Sequence, residues 1–253
     1  MRIGALTVIE NGRVSLLEHF LSHYRQWCAP GDIHILVQCD TPEENASDME
    51  TVCKFFRANM RRWDGPYSTD DVKKISRKLT KEIFDWEGWH FNVDSDEFFD
   101  PRCDVPAMCE WADRHKKAFF RAYMLDMAAE EGFPEIGNLE DIFGQFPVEC
   151  AFTEHIVKGY PIKDCLLKNP LYGHHNAEGC NLTTQRAPGL YKLHHFKWDA
   201  GAVDRLRKRV ENRGRYPWWR NSRHMLEAIE ASGGSIDPTL FPPKPKKFDT
   251  FPE

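Results

Sequence analysis

The chain has 253 residues, of which 41% are hydrophobic, 29% charged and 13% aromatic. This composition is typical of a globular protein and excludes a disordered chain, a collagen-like fibre and a coiled coil. The 34 Lys and Arg against 39 Asp and Glu give a net charge of −5, whereas a general nucleic-acid binder is usually basic, so we expect no nucleic-acid partner.

The spacing of the cysteines and the length of the apolar runs indicate where the protein is located. The eight cysteines are scattered with no CxxC spacing, which favours reduced, mostly buried thiols over a disulfide framework. No apolar run reaches the 18 or so residues of a membrane span, and residues 1–8 resemble a strand more than a signal peptide. We therefore expect a cytoplasmic protein without a transmembrane span.

The first hundred residues alternate between strand and helix patterns. Residues 2–9 and 33–37 are short, nearly continuous apolar runs, as in buried parallel strands, and a helical pattern over 15–24 separates them. Further along we predict helices over 47–59 and 69–83, a turn-rich break over 63–67 and a strand over 89–93. This order is typical of a parallel sheet with helical crossovers.

The second half has a weaker pattern. We predict strands over 118–125, 150–157 and 189–198, and helices over 106–114, 199–213 and 217–231. Residues 238–253 form a Pro- and Lys-rich tail, expected to be an extended surface segment. The chain is therefore predicted to be α/β, with a Rossmann-type, mixed but mostly parallel sheet flanked by helices, and with further helices at its C-terminal end.

Two carboxylates follow the aromatic strand over 89–93. Ligands bind at the carboxyl ends of strands in open α/β sheets, and Asp94 and Asp96 would project to the same side of an extended chain. Neighbouring carboxylates repel unless a cation lies between them, and Mg²⁺ or Mn²⁺ prefers oxygen ligands. The motif suits a metal–diphosphate site, and a solvated acidic turn is the alternative.

A second candidate segment is Leu193–Trp198, which reads LHHFKW. One of its adjacent histidines could complete a metal shell, and the other would face away; a core histidine is the alternative. Lys197 lies on the same strand face as His195 and could neutralise a phosphate. A further pair, His174 and His175, lies in a loop-like stretch and could touch substrate.

Several segments together resemble the bacterial glycosyltransferase-2-like proteins with a GT-A fold, a group related to the family-92 transferases. The resemblance spans residues 1–232 and rests on the opening strand and helix over 6–24, Trp89 with the DxDEF motif at 93–98, the LDM segment at 123–127, the LHFK-like segment at 193–198, and the Arg-rich helix that follows. It implies one GT-A-like catalytic domain over 1–237, with a nucleotide-binding half (1–100) and an acceptor half (101–237).

The resemblance also implies an activity: a metal-dependent glycosyltransferase of the hexosyltransferase type, acting in carbohydrate biosynthesis. It would move a sugar from a nucleotide-sugar donor to a glycan or other hydroxyl acceptor, with inversion. Mn²⁺ or Mg²⁺ would be the cofactor, with Asp94, Asp96 and His195 as ligands and His194 as a core residue. Contacts to the nucleotide-sugar would come from Asn11, Asp40 and Asp94.

Lys197 and Arg77 are candidate phosphate contacts from the sequence itself, and Arg186 and Lys78 are others. A solvated charged face is the alternative for Arg77, Arg186 and Lys78.

The acceptor hydroxyl needs a carboxylate base, and the sequence offers several. Asp141, beside Glu140, and Asp126 in the LDM segment are the two that we assign as catalytic candidates, and Glu154 is a third. A helix cap or a surface carboxylate is the structural alternative for each of them.

Other readings remain open. The pair Trp218–Trp219, beside Arg215 and Arg220, could mark an acceptor-side surface or a peripheral membrane contact. A phosphohydrolase with a nucleophilic Asp is one alternative function, although Phe98 stands where such enzymes have Thr or Val. A non-catalytic module that binds a sugar nucleotide is another, and the absence of ligand spacing disfavours a zinc protein.

Overall fold

The computed structural model describes residues 1–84, 88–138, 141–158, 161–168, 181 and 183–244. They form two compact units that alternate along the chain. The first unit comprises the described residues of Met1–Tyr123 and Ile162–Leu193, and the second comprises those of Met124–Pro161 and His194–Lys246. These units differ from the predicted halves, and the single domain over 1–237 stays a prediction.

Strands and helices alternate from the N-terminus. The strands are β1 (Ile3–Glu10), β2 (Ile33–Cys39), β3 (Asn59–Asp64), β4 (Trp89–Asn92), β5 (Glu97–Asp100), β6 (Phe119–Ala128), β7 (Val148–Cys150), β8 (Ile162–Lys168) and β9 (Tyr191–His195). The helices are α1 (Val14–Tyr24), α2 (Ser47–Phe56), α3 (Thr69–Ile83), α4 (Val105–Arg114), α5 (Ile142–Gln145), α6 (Phe152–Val157), α7 (Ala202–Glu211) and α8 (Trp219–Ala231).

The sheet is mixed. Its strand order is β3-β2-β1-β4-β8-β6-β9-β5, and β7 pairs with β6. The four strands β3, β2, β1 and β4 are parallel to one another, whereas β8 runs antiparallel to both β4 and β6. Helices connect the parallel strands, as parallel pairing requires. The predicted α/β class, with helices at the C-terminal end, is confirmed.

One apolar cluster of the first unit joins β1 and β2 to α3. Leu6 on β1 and Leu36 on β2 pack against Leu79 of α3 and against Phe84, which follows that helix. The helix and the sheet approach closely at Gly4, where an added Cβ would lie 2.5 Å from a ring carbon of Phe84. A larger residue there would force the two layers apart.

Trp198 is at the centre of the core of the second unit. Its ring is fully buried and meets the ring of Phe152 edge-on, with 4.9 Å between centroids. Leu206 of α7 and Met225 of α8 belong to the same cluster. The predicted helices after residue 199 are therefore present and bury one apolar side each.

Two element predictions are wrong, and two strands were missed. Residues 59–64 form strand β3 rather than the end of a helix and a turn, because this sheet-edge strand has little apolar signal. Residues 150–157 contain only the end of β7 and then α6, since a short apolar run fits either structure. Strands β5 and β8 were not predicted.

The described part of the predicted tail is not an extended surface segment. Pro238–Leu240 form a short 3₁₀ helix, and the ring of Phe241 meets that of Phe152 edge-on, with 4.9 Å between centroids, because Phe241 packs on the apolar cluster of the second unit. Of the predicted tail, residues 245–253 lie outside the described residues. Within the described ranges, no helix has both the length and the apolar composition that crossing a bilayer requires.

Tyr24 gives a test of how α1 is joined to β5. Its buried hydroxyl donates to the carbonyl of Glu97 (2.8 Å) and accepts from the amide of Phe99 (3.1 Å). Tyr24→Phe removes both of these buried hydrogen bonds, so we expect a loss of about 1–3 kcal/mol in the free energy of unfolding, measured by urea titration.

The control is Tyr191→Phe, whose hydroxyl donates to the carbonyl of Pro188 over a longer 3.4 Å. This variant should lose less than about 1 kcal/mol. Equal losses in the two variants would contradict the role assigned to the Tyr24 hydroxyl.

Candidate functional site

Three predicted site residues follow parallel strands of the first unit. Asn11 comes directly after β1, Asp40 directly after β2, and Asp94 two residues after β4. Because these strands are parallel and adjacent, their carboxyl ends meet at one edge of the sheet. Ligands of open α/β sheets bind at this kind of edge.

Glu44 links Asn11 to Asp40. Its Oε2 accepts from the side-chain amide of Asn11 (3.1 Å), and its Oε1 accepts from the backbone amide of Asp40 (2.8 Å). The Asp40 carboxylate in turn accepts from Nε2 of Gln38 (3.0 Å). The structure therefore places Asn11 and Asp40 in one hydrogen-bonded group, and sequence reasoning missed its central residue, Glu44.

Arg62 on the edge strand β3 fixes the loop that follows β2. Its guanidinium donates to three carbonyl groups of that loop, those of Thr41 (3.1 Å), Pro42 (2.7 Å) and Glu44 (2.7 Å). A guanidinium has five donors in a fixed plane and is suited to bridging several carbonyls. The loop that positions Asp40 is thus held from two sides.

The DxD motif is a turn rather than the extended chain that we predicted. The Glu97 amide donates to the Asp94 carbonyl (3.0 Å), which closes a turn over residues 94–97. The Glu97 carboxylate also accepts from the Asp94 amide (2.7 Å). Alternation along a strand therefore does not set the directions of Asp94 and Asp96. The side chain of Asp94 is 52% exposed.

A buried lysine contacts this turn. Lys163 on β8 has its Nζ 2.6 Å from Oε2 of Glu97 and 3.5 Å from Oδ2 of Asp94. Its side chain is only 1% exposed. Sequence reasoning missed Lys163 because β8 itself was not predicted, and no local pattern connects it with the motif.

In the second unit Asp126 is the centre of a polar cluster. The amide and the hydroxyl of Thr153 both donate to its carboxylate, at 2.7 Å and 2.9 Å. Thr153 is in the first turn of α6, whose own N-cap residue, Ala151, has no side-chain acceptor. Asp126 therefore takes the capping role from the neighbouring strand β6.

Two basic residues complete this cluster. Nδ1 of His195 lies 3.4 Å and Nζ of Lys197 lies 3.8 Å from Oδ1 of Asp126. Burial alone would raise the pKa of Asp126, but Lys197, His195 and the Thr153 amide together lower it to about 2. A carboxylate with so low a pKa is a weak base at neutral pH. The structure thus confines Asp126 to ion-pair and capping contacts.

The adjacent histidines differ in their surroundings. His194 is buried, with Nε2 3.1 Å from Oε1 of Glu149, whereas His195 contacts Asp126. A carboxylate on one ring nitrogen is the usual support of a histidine that binds metal through the other. Both histidines meet this condition, so their carboxylate contacts do not distinguish them. His194 is buried in the core, and the ligand role of His195 stays a prediction.

Asp141, the other predicted catalytic residue, is exposed at the start of α5. Its side chain accepts from the amide of Phe143 (3.1 Å), which makes it the N-cap of that short helix. The structure therefore shows Asp141 as a helix cap, which was the structural alternative to a catalytic role. Its neighbour Glu140 lies outside the described residues, and so do His174 and His175.

Two further predictions fall on helices. Arg77 is on the exposed side of α3, about 12 Å along the helix from its first residue. Trp219 opens α8, and the guanidinium groups of Arg220 and Arg223 lie 5.5 Å and 5.6 Å from its ring centroid. These contacts are cation–π pairs within the basic, aromatic segment noted in the sequence.

The predicted metal ligands come from both units, Asp94 and Asp96 from the first and His195 from the second. Among the described residues, no three His, Cys, Asp or Glu side chains form a group that could hold a metal ion. Mg²⁺ in phosphate sites is often held by one or two carboxylates, with waters and substrate phosphates as the other ligands. The turn carboxylates fit that pattern, and the metal stays a prediction.

No family model matches the sequence, and no curated protein matches it. Crystal structures of S. aureus TarS are similar to this chain, with low TM-scores and low sequence identity. TarS 1–349 has a TM-score of 0.36 and 12% identity, covering 83% of this chain and 64% of that one. The longer TarS structure has a TM-score of 0.38 and 11% identity, covering 95% and 45%.

A third structure, TarS 1–349 in complex with UDP-GlcNAc, has a TM-score of 0.35 and 12% identity, covering 91% of this chain and 72% of that one. This chain thus spans less than two thirds of the length of the first two structures. At these TM-scores the likeness establishes no common chemistry.

The low pKa of Asp126 predicts a pH dependence. Because the pKa lies below the ordinary 3.8, ionised Asp126 stabilises the folded state above about pH 4. This contribution, about 2 kcal/mol, should be lost as the pH falls through about 2. Asp126→Asn should therefore cost at least about 2 kcal/mol at pH 7, and the difference in the free energy of unfolding from wild type should narrow towards pH 2, as measured by urea unfolding.

Asp204→Asn is the control, since Asp204 is an exposed carboxylate of α7 in the same unit. It should change the free energy of unfolding by less than about 0.5 kcal/mol at any pH. A gap between Asp126→Asn and wild type that stays constant from pH 7 to pH 2 would contradict the assignment.

Proposed function

We propose that the protein is a metal-dependent glycosyltransferase that moves a sugar from a nucleotide-sugar donor to an acceptor hydroxyl, with inversion at the anomeric carbon. One observation carries the proposal. Asn11, Asp40 and the Asp94–Asp96 turn lie at the carboxyl ends of adjacent parallel strands in one unit. Such an edge is where α/β sheets bind nucleotides.

The polar groups at this edge suit a sugar nucleotide. A carboxylate such as Asp40 can accept from ribose hydroxyls or from a base N–H, and Glu44 and Gln38 hold it in place. Asn11 offers a side-chain amide from the same hydrogen-bonded group. A site with its hydrogen-bonding groups already fixed loses less entropy on binding.

Asp94 and Asp96 would hold the divalent cation against the diphosphate. When bound, the cation would stabilise the negative charge of the leaving diphosphate. His195 as a third ligand, with Lys197 and Arg77 as phosphate contacts, completes the proposed assignment. The support of the His195 ring by Asp126 agrees with a ligand role.

In the proposed reaction the acceptor oxygen attacks the anomeric carbon as the bond to the diphosphate breaks. The acceptor proton passes to a carboxylate base, and the diphosphate leaves with the bonding electrons. The low pKa of Asp126 makes that residue a poor base and favours its role in orienting His195 and Lys197. Asp141 and Glu154 remain as candidate bases. Each would have to give up a contact, Asp141 its bond to the Phe143 amide and Glu154 its ion pair with Lys244.

A second candidate is a module that binds a sugar nucleotide without transfer. Both assigned base candidates make hydrogen bonds that support the fold, Asp126 with Thr153 and Asp141 with Phe143. A chain in which these carboxylates serve only that purpose would lack a base for transfer. Binding would then be retained and turnover absent. The two functions separate in an assay that records donor binding and donor consumption together.

The proposal predicts cation-dependent binding of one nucleotide-sugar class. UDP-, GDP-, dTDP- and CMP-sugars, including UDP-GlcNAc, are added with and without Mn²⁺ in a thermal-shift assay. At about 100 times Kd a ligand stabilises the folded state by about 2.7 kcal/mol, or about 5–10 °C in Tm for a chain of this size. We expect such a shift for one class with Mn²⁺ present.

Asp96→Ala should abolish this shift, while Asp48→Ala, an exposed carboxylate of α2, should keep it. Calorimetry confirms the affinity, and release of the nucleoside diphosphate reports turnover. No shift with any of the four classes would refute the proposed function. A shift that survives in Asp96→Ala would refute only the role of the motif.

A further inference from the structure

The turn that carries the DxD motif is supported by a buried ion pair. The side chains of Lys163 and Glu97 are 1% and 2% exposed, with 2.6 Å between Nζ and Oε2. The same Oε2 accepts from the Asp94 amide at 2.7 Å. One carboxylate oxygen thus joins a fixed ammonium to the backbone of the first motif residue.

The pairing of β8 with β4 places Lys163 there. Phe91 on β4 pairs with Leu166 on β8 in antiparallel register. Lys163 lies three residues before Leu166 in the chain, and Asp94 lies three residues after Phe91. The Asn92 side chain donates to the Asp164 carbonyl (3.1 Å), which continues the contact past the end of β4. The position of the ammonium is therefore set by the sheet.

Stability alone is a weak reason for this pair. Burying two charges costs desolvation energy that often matches or exceeds their attraction, and apolar residues of the same size would commonly pack as well. The contacts of the pair indicate a geometric role instead, because both Lys163 and Glu97 reach Asp94.

The charges of the turn point to its ligand. Asp94, Asp96 and Glu97 carry three negative charges, and Lys163 supplies one positive charge within 3.5 Å of two of them. The group keeps two negative charges, the number that a divalent cation balances. Without the ammonium, the turn would be held by three carboxylates that repel one another.

We propose that Lys163, acting through Glu97, is a positioning residue: it holds the turn over residues 94–97 in the conformation in which Asp94 and Asp96 bind a divalent cation. This inference rests on the proposed function and adds a residue to it. Lys163 itself contacts neither the cation nor the donor, because its ammonium is occupied by Glu97 and Asp94.

The test is the double variant Lys163→Met/Glu97→Met, which removes one charge of each sign. The net charge of the turn is unchanged, so long-range attraction for a cation stays the same and only the positioning is lost. We expect Mn²⁺ alone to bind at least tenfold more weakly, measured by calorimetry and by electron paramagnetic resonance. The Asp94 amide should also exchange with deuterium at least tenfold faster.

Arg121→Met/Asp164→Leu is the matched control. It removes another ion pair of the same unit, with 2.7 Å between Nε and Oδ1 and a fully buried Asp164. It should keep the wild-type affinity for Mn²⁺ and the wild-type exchange rate at Asp94. If the double variant at 163 and 97 does not fold, Glu97→Asp replaces it, since it keeps every charge but shortens the link by one methylene.

The outcomes separate this inference from the function on which it rests. Wild-type protein that binds no Mn²⁺ would overturn both the metal dependence and the inference. Wild-type protein that binds Mn²⁺, together with a variant that binds it within threefold as tightly, would overturn the inference alone. An unchanged exchange rate at Asp94 would also overturn it.

Discussion

Parallel pairing of β1 with β2 and with β4 is the constraint on which the first unit depends. Since each crossover returns the chain to the same starting edge, the three strands all end at the opposite edge, where Asn11, Asp40 and Asp94 follow them. Apolar residues hold the strands and α3 together beneath that edge. The apolar core thus positions these polar residues, which are not themselves part of that cluster.

Basic side chains lie beside buried or partly buried carboxylates in both units. In the first unit Lys163 compensates part of the charge of the Asp94 turn, and in the second Lys197 and His195 surround Asp126. For Asp126, burial would otherwise disfavour the ionised form, and these partners reverse the balance by lowering its pKa to about 2. Asp126 consequently stays charged and weakly basic, which suits an orienting role.

The helices and strands that were predicted correctly have a strong local signal. β1 and β2 are mostly apolar, and α3 combines apolar spacing with a Ser68 cap. β3 was missed because an edge strand buries little and has few apolar residues. The extended motif was wrong because the bond between the Glu97 amide and the Asp94 carbonyl closes a turn there.

The sequence by itself determined the α/β class and the identity of the residues that follow the strands, since both depend on short-range periodicity and chain order. Only the tertiary structure decided their partners. Lys163 reaches Glu97 across 66 residues, and Asp126 caps a helix 27 residues away. Such contacts depend on which strands lie side by side, and the packing of the whole sheet decides this rather than the pattern of any one segment.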